Sequence, residues 1–478
     1  MLELVYLLCC EGGKSSEYVK VCSLYGVGFY YIPGTYICMK LGGYVRFQQN
    51  FGSTDVAGGP FAGVGGLNNR VSSEDQSYRV RWLLQHDTRQ QTAYGTLRTY
   101  MILGFSQDSG TDGAFGQNTT RIYATRAFIQ LAGFTFGKAT SYFDFVSSAA
   151  VAYNAGATSS PDTGDAGHVV AAYTAQLGNG ISGTISFEQE RTRGINYLGA
   201  PILGGTAGAA TAADLGGANR LQDIVANLRV DQAWGAAQIA VAAHNSSTNY
   251  YGNGIGGATL NEWNGHPGSK WGWAATFGLR LNFPMIGPGD YFQADVVYAQ
   301  GASQYASNTP GSFLAKQGSV FGINTANDGG FTGTAAAPGI YELTTAWSAF
   351  ASYEHFWTPS LRTSLYGSYV NYSRSDNLNT ALCASGLVSG GASALGRAGG
   401  CDLDSSYWVV GSRSQWNITK DLYMGFDVLY SKLNSGRLNA AGTYTATAGN
   451  GVVAGNFYTT GNLEAVSAAW RIHRDIVP

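Results

Sequence analysis

Residues Trp271–Phe283 read WGWAATFGLRLNF, and apolar side chains occupy every second position of this stretch. Alternation with a period of two is typical of a β-strand that has one apolar and one polar face. The 13 residues extend for about 40 Å at ~3.3 Å per residue. Strands of soluble proteins usually end after about six residues. An alternating strand of this length predicts a tilted crossing of a lipid bilayer.

The same alternation recurs elsewhere in the chain, which indicates many such strands rather than one. It is visible in Ile181–Gln189, Trp408–Ile418 and Leu422–Tyr430. Large aromatic residues near strand ends are typical of the interfacial girdles of membrane barrels. The aromatic residues that we assign to such girdles are Trp271, Phe283, Trp408, Trp416 and Trp470.

The sequence excludes a helical membrane protein and gives no sign of a nucleic-acid-binding protein. No run of about 20 apolar residues occurs, so a transmembrane helix is excluded, and only a closed barrel could then span a membrane. Charged residues make up only 12% of the chain, about half of the ~25% in soluble domains. The net charge of −2 gives no basic patch for binding nucleic acid.

The connections between strands predict how many strands there are. Seven short links alternate with eight long segments rich in Gly, Ser, Asn and Thr, which gives 15 connections and 16 strands. Short periplasmic turns and long external loops are typical of outer-membrane barrels. We therefore predict an all-β fold, a 16-stranded antiparallel transmembrane β-barrel over residues 39–478 that follows an N-terminal segment, residues 1–38. The short links are Arg89–Ala93, Ala132–Gly133, Gly178–Gly180, Ala233–Gly235, Pro284–Gly289, Pro359–Ser360 and Thr419–Asp421.

The six cysteines include two pairs at short separations, Cys22 with Cys38 and Cys383 with Cys401. Such spacing favours local disulfides in an oxidising compartment, and each would contribute about 3 kcal/mol in the chain-entropy account. Free or metal-binding thiols are the alternative. An exported barrel is expected to carry a signal peptide, but Met1–Gly13 has an acidic residue where a basic one belongs. We expect either a signal upstream of this start or a misassigned start.

The alternation also directs a set of arginines into the barrel. A lipid-facing arginine would cost about 2–4 kcal/mol at the membrane midplane, so these side chains are expected to line the lumen. Five lie on the first four strands, and the sixth lies on the last strand, which must neighbour the first one. They either form one cluster on the wall or are scattered at different heights. The arginines are Arg46, Arg79, Arg81, Arg98, Arg126 and Arg471.

Two stretches give the chain a resemblance to a known family. Tyr18–Arg46 (YVKVCSLYGVGFYYIPGTYICMKLGGYVR) and Phe128–Phe145 (FIQLAGFTFGKATSYFDF) resemble rhizobial-type general porins of alphaproteobacteria. The similarity runs from Tyr18 to about Arg474. It implies a homotrimeric barrel whose third external loop folds inward and constricts the lumen.

The third external loop, Thr140–His168, carries Asp144, Asp162 and Asp165. Aspartates on this loop that oppose the wall arginines would set a field across the constriction, which orders water and disfavours apolar solutes. The resemblance implies a general diffusion porin, integral to the outer membrane of a Gram-negative cell. Its surroundings would be membrane lipid, lipopolysaccharide and small hydrophilic solutes in transit.

Two alternative functions remain open: a substrate-selective channel with the same fold, and a non-conducting structural or adhesive barrel. Catalysis is not predicted, because no G-x-S-x-G motif stands in a strand–turn–helix context. The six histidines are dispersed and show no H-x-x-x-H pair, so no metal site and no cofactor are expected.

Overall fold

The computed structural model describes most of the chain. The described residues are 20–52, 76–108, 119–154, 158–164, 167–197, 212–213, 221–248, 250–251, 262–308, 311–384, 396–445 and 457–476.

Sixteen long strands form the wall of one closed barrel. The strands are β1 Cys38–Phe51, β2 Gln76–Thr92, β3 Gly95–Asp108, β4 Thr119–Leu131, β5 Phe134–Ala139, β6 His168–Gly178, β7 Ile181–Glu188, β8 Asp223–Gln232, β9 Gly235–Ser247, β10 Ser269–Asn282, β11 Tyr291–Gln300, β12 Thr345–Thr358, β13 Leu361–Ser373, β14 Ser405–Asn417, β15 Leu422–Asn434 and β16 Leu463–Ile476.

Each strand pairs antiparallel with its two neighbours in the chain, and the barrel closes between β1 and β16. Along the closing ladder Phe47 lies opposite Ile472, and on its other side β1 places Arg46 opposite Arg81. The predicted 16-stranded antiparallel barrel is confirmed. Closure leaves no free strand edge, so every strand of the wall has hydrogen-bonding partners on both sides.

Burial follows the predicted alternation. On β10, Trp273 and Phe277 are about half exposed on the outer face, at 45% and 51%, whereas Ala274 between them is fully buried. Inward positions of the wall carry most of the buried polar side chains, among them Ser186, Gln293 and Ser364. The outer face is therefore largely apolar, and the inner face carries most of the buried polar side chains, as is typical of a membrane barrel.

All seven predicted short links lie between consecutive strands at one end of the barrel, the turn end. One boundary was wrong: Arg89–Ala93 was predicted as the link, but β2 continues to Thr92 and β3 resumes at Gly95. The polar residues at the end of β2 still pair with β3, because ladder pairing does not require an apolar face. The other end, the loop end, carries the long connections.

The long loops and the N-terminal segment contain short helices and short strands. The longest helix in the described part of the chain has nine residues, and no described helix is long and apolar enough to cross a membrane. The helices are α1 Ser303–Ala306 and α2 Asp376–Ala384, with 3-10 turns at Ser23–Tyr25, Ser148–Ala150, Glu262–Asn264 and Gly396–Gly399. The short strands are Tyr30–Tyr31, Ile195–Tyr197, Ala212–Ala213, Phe313–Gln317, Val320–Asn324, Gly329–Gly333, Pro338–Leu343, Thr443–Thr445 and Phe457–Thr460.

Both predicted disulfides are confirmed, with Cα–Cα distances of 6.0 Å for Cys22–Cys38 and 6.2 Å for Cys383–Cys401. The first fastens residues 20–37 to the start of β1 at the turn end, where the guanidinium group of Arg89 lies 4.9 Å from the centroid of the Phe29 ring. The second joins the end of α2 to Cys401, shortly before β14, within one external loop.

Because the two faces of a strand differ in polarity, a charge should be tolerated on only one of them. We expect Leu103→Arg, on the outer face of β3, to destabilise the barrel by about 2–4 kcal/mol. Ile102→Arg, its neighbour on the inner face, should cost much less, because the new side chain meets the lumen. Urea-induced unfolding in lipid vesicles measures both variants, and equal losses of stability would contradict the assigned faces.

Candidate functional site inside the barrel

The loop between β5 and β6, residues 140–167, turns into the barrel and is referred to as loop 3. Its first residues lie against β8 and β9. The side-chain amide of Asn227 donates to the carbonyl oxygen of Tyr142 at 2.7 Å, and that of Gln238 donates to the carbonyl oxygen of Phe143 at 3.3 Å. Loop 3 therefore leaves the wall at β5 and is held to the inner faces of the next strands.

The middle of loop 3 reaches the opposite wall. The Asp427 carboxylate on β15 accepts hydrogen bonds from the backbone N–H groups of Tyr153 and Asn154, at 2.6 and 3.2 Å. The Arg471 guanidinium on β16 donates to the carbonyl oxygen of Tyr153 at 3.0 Å, and the Ser364 hydroxyl on β13 donates to that of Val151 at 2.6 Å. The inward-folded third loop is confirmed: it crosses the lumen from β8–β9 to β13–β16.

Apolar packing explains why loop 3 lies inside. Phe143 and Val151 are fully buried, and they belong to one cluster with inward-facing residues of β8 to β16. The wall has room for this packing at Gly278, where a Cβ atom would collide with the ring of Phe145. Removing these side chains from water contributes about 1.5–3 kcal/mol each, so the loop is stabilised by its contacts inside the barrel.

All six predicted arginines are placed on the inner side of the wall. Four of them lie together in two neighbouring rows across β16, β1 and β2. One row contains Arg79, Gln48 and Arg471, and the next contains Arg81 and Arg46. The Arg471 guanidinium lies 4.1 Å from the centroid of the Tyr153 ring, so this cluster faces the middle of loop 3. We call these four arginines the wall arginines.

Arg98 and Arg126 lie closer to the turn end and are not part of the wall arginines. Arg98, near the start of β3, binds the Asp87 carboxylate through two hydrogen bonds of 3.1 and 2.9 Å. Arg126 lies opposite Ile102, and its guanidinium donates to the hydroxyl of Thr140 at 2.9 Å and to the carbonyl oxygen of Gly164 at 3.0 Å. It thereby fastens both ends of loop 3.

Two aspartates that the sequence reasoning missed lie beside these arginines. Asp108 on β3 accepts two hydrogen bonds from Arg79, at 2.6 and 2.7 Å, and is directly opposite it in register. Asp87 on β2 binds both Arg89 and Arg98. The signal was available, because Asp87 and Asp108 follow the inward alternation of their own strands.

The loop aspartates have other partners than we expected. Asp144 accepts a hydrogen bond of 2.5 Å from Arg191, a buried residue that follows β7, and two more from Thr163. Asp162 accepts hydrogen bonds from the backbone N–H and the hydroxyl of Ser148, at 2.9 and 3.1 Å. Burial, together with the nearby Asp144 carboxylate, raises the pKa of Asp162 above its ordinary range.

Asp144 and Asp162 therefore brace loop 3 from within, rather than turning toward the wall arginines. The physical reason is burial, because a carboxylate under a packed loop needs hydrogen-bond donors close to it. Asp165 lies outside the described residues. Alternation could not have placed any of the three, since it applies to strands and not to loops.

An open cavity of ≈ 460 Å³ lies between the base of loop 3 and the inner face of β3 to β9. Its lining includes the rings of Tyr100, Phe128 and Tyr142 and a number of hydroxyl and amide side chains. We call it the basal cavity. No group of His, Cys, Asp and Glu in the described ranges is arranged to hold a metal ion.

Four of the predicted girdle residues lie near strand ends. Trp271 and Trp408 are near the loop end, whereas Phe283 and Trp416 are near the turn end. Trp470 is different, because it is the eighth of the 14 residues of β16 and lies opposite Phe426 on β15. The assignment of Trp470 to a girdle was wrong. Alternation gives the face of Trp470 but not its height along the strand, and β16 continues through Arg471 to Ile476.

Comparison with known proteins gives a consistent set of relatives. A family model described as a porin subfamily matches residues 13–456. The chain is 33% identical over 193 residues to the porin Omp2b of Brucella melitensis, and 34% identical over 193 residues to that of Brucella abortus. Each match covers 39% of this chain and 49% of the relative, so the chain spans about half the length of the curated relatives it matches.

Among solved structures, the chain is similar to the outer membrane channel DcaP of Acinetobacter baumannii. The TM-score is 0.55 at 13% sequence identity, over 93% of this chain and 99% of that one. At this identity the likeness concerns the fold alone.

Asp427 attaches loop 3 to the far wall through two backbone groups, which gives a test of how the loop is held. We expect Asp427→Ala to loosen the loop, because two backbone N–H groups and the Tyr366 hydroxyl lose their acceptor. Each buried group left unpaired costs about 1–3 kcal/mol, so hydrogen exchange of the Tyr153 amide should accelerate on the order of tenfold or more. Mass spectrometry of exchanged peptides measures this change.

Asp421→Ala is the matched control, because Asp421 lies in the turn before β15 and accepts a hydrogen bond from the Thr419 hydroxyl rather than from loop 3. Unchanged exchange in Asp427→Ala, or equal acceleration in both variants, would mean that this carboxylate does not hold loop 3.

Proposed function

This chain belongs to the porin subfamily, and we propose that it forms a water-filled channel for the passive diffusion of small hydrophilic solutes and ions across the outer membrane. The observation that carries the proposal is a closed barrel of 16 strands whose inner wall bears arginine and other polar side chains. Barrels of about 16 strands enclose an aqueous channel rather than a packed core.

We place the narrow part of this channel between the wall arginines and the middle of loop 3. Loop 3 is held to β8–β9 and β13–β16 and, through Arg126, to β4, and we propose that solutes pass along the inner wall of β1 to β3. On that side the inner wall carries arginine and aspartate side chains, including the pair Arg79 and Asp108. Charged groups at close quarters favour hydrated solutes and ions over apolar ones.

The acidic residues do not lie where we expected them, and the electric field that we propose for the constriction changes accordingly. The acidic partners that the structure describes, Asp87 and Asp108, lie on the same wall as the arginines. Asp144 is paired with Arg191 beneath the loop. We therefore propose that the local field runs largely along the wall of β1 to β4, between neighbouring strands, and that the wall arginines bias the channel toward anions.

We also propose that this chain associates with copies of itself, and the short length of one wall strand supports this. Strand β5 has six residues, which at a tilt of about 45° cover roughly 15 Å of membrane thickness. The apolar band of an outer-membrane barrel is about 25 Å tall. Strand β5 is therefore too short to span the apolar band of the membrane. We propose that further copies of the chain cover the outer face of β5 in a trimer.

Polar residues on the same outer face support this arrangement. Lys138 on β5 lies opposite Val169, which is half exposed on the outer face. His86 on β2 also faces outward, with its ring nitrogen 2.9 Å from the sulfur of Met39. A lysine in contact with lipid near the midplane costs about 2–4 kcal/mol. Contact with a second copy would remove this cost.

Single-channel recording of the purified chain in planar bilayers tests the channel itself. In a potassium chloride series we expect stepwise conductance that rises almost linearly with salt, because ions cross in water. Steps should arrive in groups of three if the trimer is the conducting unit. Silence from folded protein would overturn the diffusion channel and leave the structural barrel.

The same recording, with a salt gradient, tests the wall arginines. Arg46→Gln together with Arg81→Gln should move the reversal potential toward cation preference, because two positive charges leave the constriction. Arg474→Gln is the matched control, since its side chain is 70% exposed near the end of β16. An equal shift in the control would place selectivity elsewhere.

Cross-linking tests the proposed contact between copies. Phe136→Cys, on the outer face of β5, should form covalent dimers or larger species in oxidised membranes. Leu365→Cys, on the outer face of β13 at the far side of the barrel, should remain a monomer on the same gel. The unmodified chain controls for its own cysteines. Cross-links from position 365 alone would overturn the proposed interface.

A further inference from the structure

We propose that the basal cavity is a binding site for a small neutral carbohydrate, a mono- or disaccharide, on its way through the barrel. This inference rests on the proposed channel function, and goes beyond it by giving the channel a preferred class of solute. Three observations support it. The lining contains many groups that both donate and accept hydrogen bonds, and aromatic rings form one side of the cavity. The charged side chains of the lining are bound to other parts of the protein.

The lining is unusually rich in groups that both donate and accept hydrogen bonds. Hydroxyl and amide side chains do both, which matches the mixed demands of a sugar's hydroxyl groups. They are Thr125, Thr135, Thr140, Ser141, Thr174, Ser182, Thr184, Gln130, Asn227 and Gln238. They come from six wall strands and loop 3, so a solute between them would meet such groups on several sides.

These groups are already organised into small networks. The Thr174 and Thr184 hydroxyls lie 3.0 Å apart on neighbouring strands. The Thr135 hydroxyl accepts hydrogen bonds from the amide of Gln130 and the hydroxyl of Tyr142, each at 3.1 Å. A hydroxyl has one hydrogen and two lone pairs, so Thr135 still has its hydrogen to donate and the Thr174 and Thr184 hydroxyls can each form a further hydrogen bond.

Aromatic rings form one side of the basal cavity. Tyr100 and Phe128 lie opposite each other on β3 and β4, with stacked rings 5.2 Å apart between centroids. The guanidinium group of Arg98 lies 4.7 Å from the centroid of the Tyr100 ring and contacts this ring from the turn end of the barrel. Rings give large, rigid contact area, which suits the apolar C–H faces of a pyranose.

The size of the space is suitable. A cavity of ≈ 460 Å³ falls within the range of about 300–1,000 Å³ of small-molecule sites.

The charged side chains of the lining favour a neutral solute over an anion. They are Arg126, Arg229 and Asp144, and each is bound to another part of the protein. Arg126 fastens loop 3, Arg229 binds Asp231 at 2.8 Å, and Asp144 binds Arg191. An anion would have to compete with these contacts, whereas a neutral polyol would meet the hydroxyls and rings without displacing any ion pair.

The test uses the complete chain in planar bilayers, with maltose as the probe and polyethylene glycol of equal hydrodynamic size as the neutral control. We expect maltose to reduce the open-channel current in a saturable manner, because it occupies a site. Polyethylene glycol should reduce it only in proportion to solution viscosity. Glucuronate at the same concentrations probes an acidic sugar.

Tyr100→Leu combined with Phe128→Leu should raise the half-saturating maltose concentration roughly tenfold, because both ring contacts are lost. Phe426→Leu is the matched control, since Phe426 is exposed on the outer face of β15, and it should leave the half-saturating concentration unchanged. The comparison of maltose with polyethylene glycol on the unmodified chain remains decisive if the double variant does not fold.

The outcomes separate the two proposals. Folded protein without any conductance would overturn the channel function. An open channel in which maltose acts like polyethylene glycol would overturn the carbohydrate site and leave the channel intact. Saturation by glucuronate at lower concentration than by maltose would also overturn the neutral-carbohydrate site, in favour of an anion site at Arg126 and Arg229.

Discussion

The structure depends on one constraint: a backbone that lies in lipid must satisfy all of its hydrogen bonds internally. A sheet can do so only if its first and last strands pair, which β1 and β16 do over Gly43–Phe51. Closure then gives every strand an inside and an outside, and the alternation of side chains follows from the pleat. The arginines are turned inward by this geometry, because the other face of each strand meets lipid.

A closed barrel of this size creates a second demand, since its lumen is too wide for wall side chains to fill. Loop 3 meets part of that demand by crossing the lumen. Its apolar residues pack on the wall near Gly278, and its backbone is held by Asp427 and Arg471. The Tyr153 ring of loop 3 lies against Arg471, so the middle of the loop meets the wall arginines.

The wall was predictable from the sequence because its periodicity is local. Trp271–Phe283 predicts one strand, and the short links predict how many strands follow. Loop contacts were not predictable in this way. Arg191 and Asp144 are separated by 47 positions and pair only because loop 3 folds back across the lumen. Trp470 was misplaced for a related reason, since alternation gives the face of a residue but not its height along the strand.

The register of neighbouring strands decides which charged side chains of the inner wall form ion pairs. Antiparallel pairing places Arg79 directly opposite Asp108, and it places Arg98 diagonally next to Asp87 on the inner wall. Arg191 and Asp144 lie outside the paired strands, and the folding of loop 3 rather than strand register brings them together. With these ion pairs formed, the basal cavity presents mainly hydroxyl groups, amides and rings. The paired charges therefore leave uncharged polar groups and rings as most of the lining of the basal cavity.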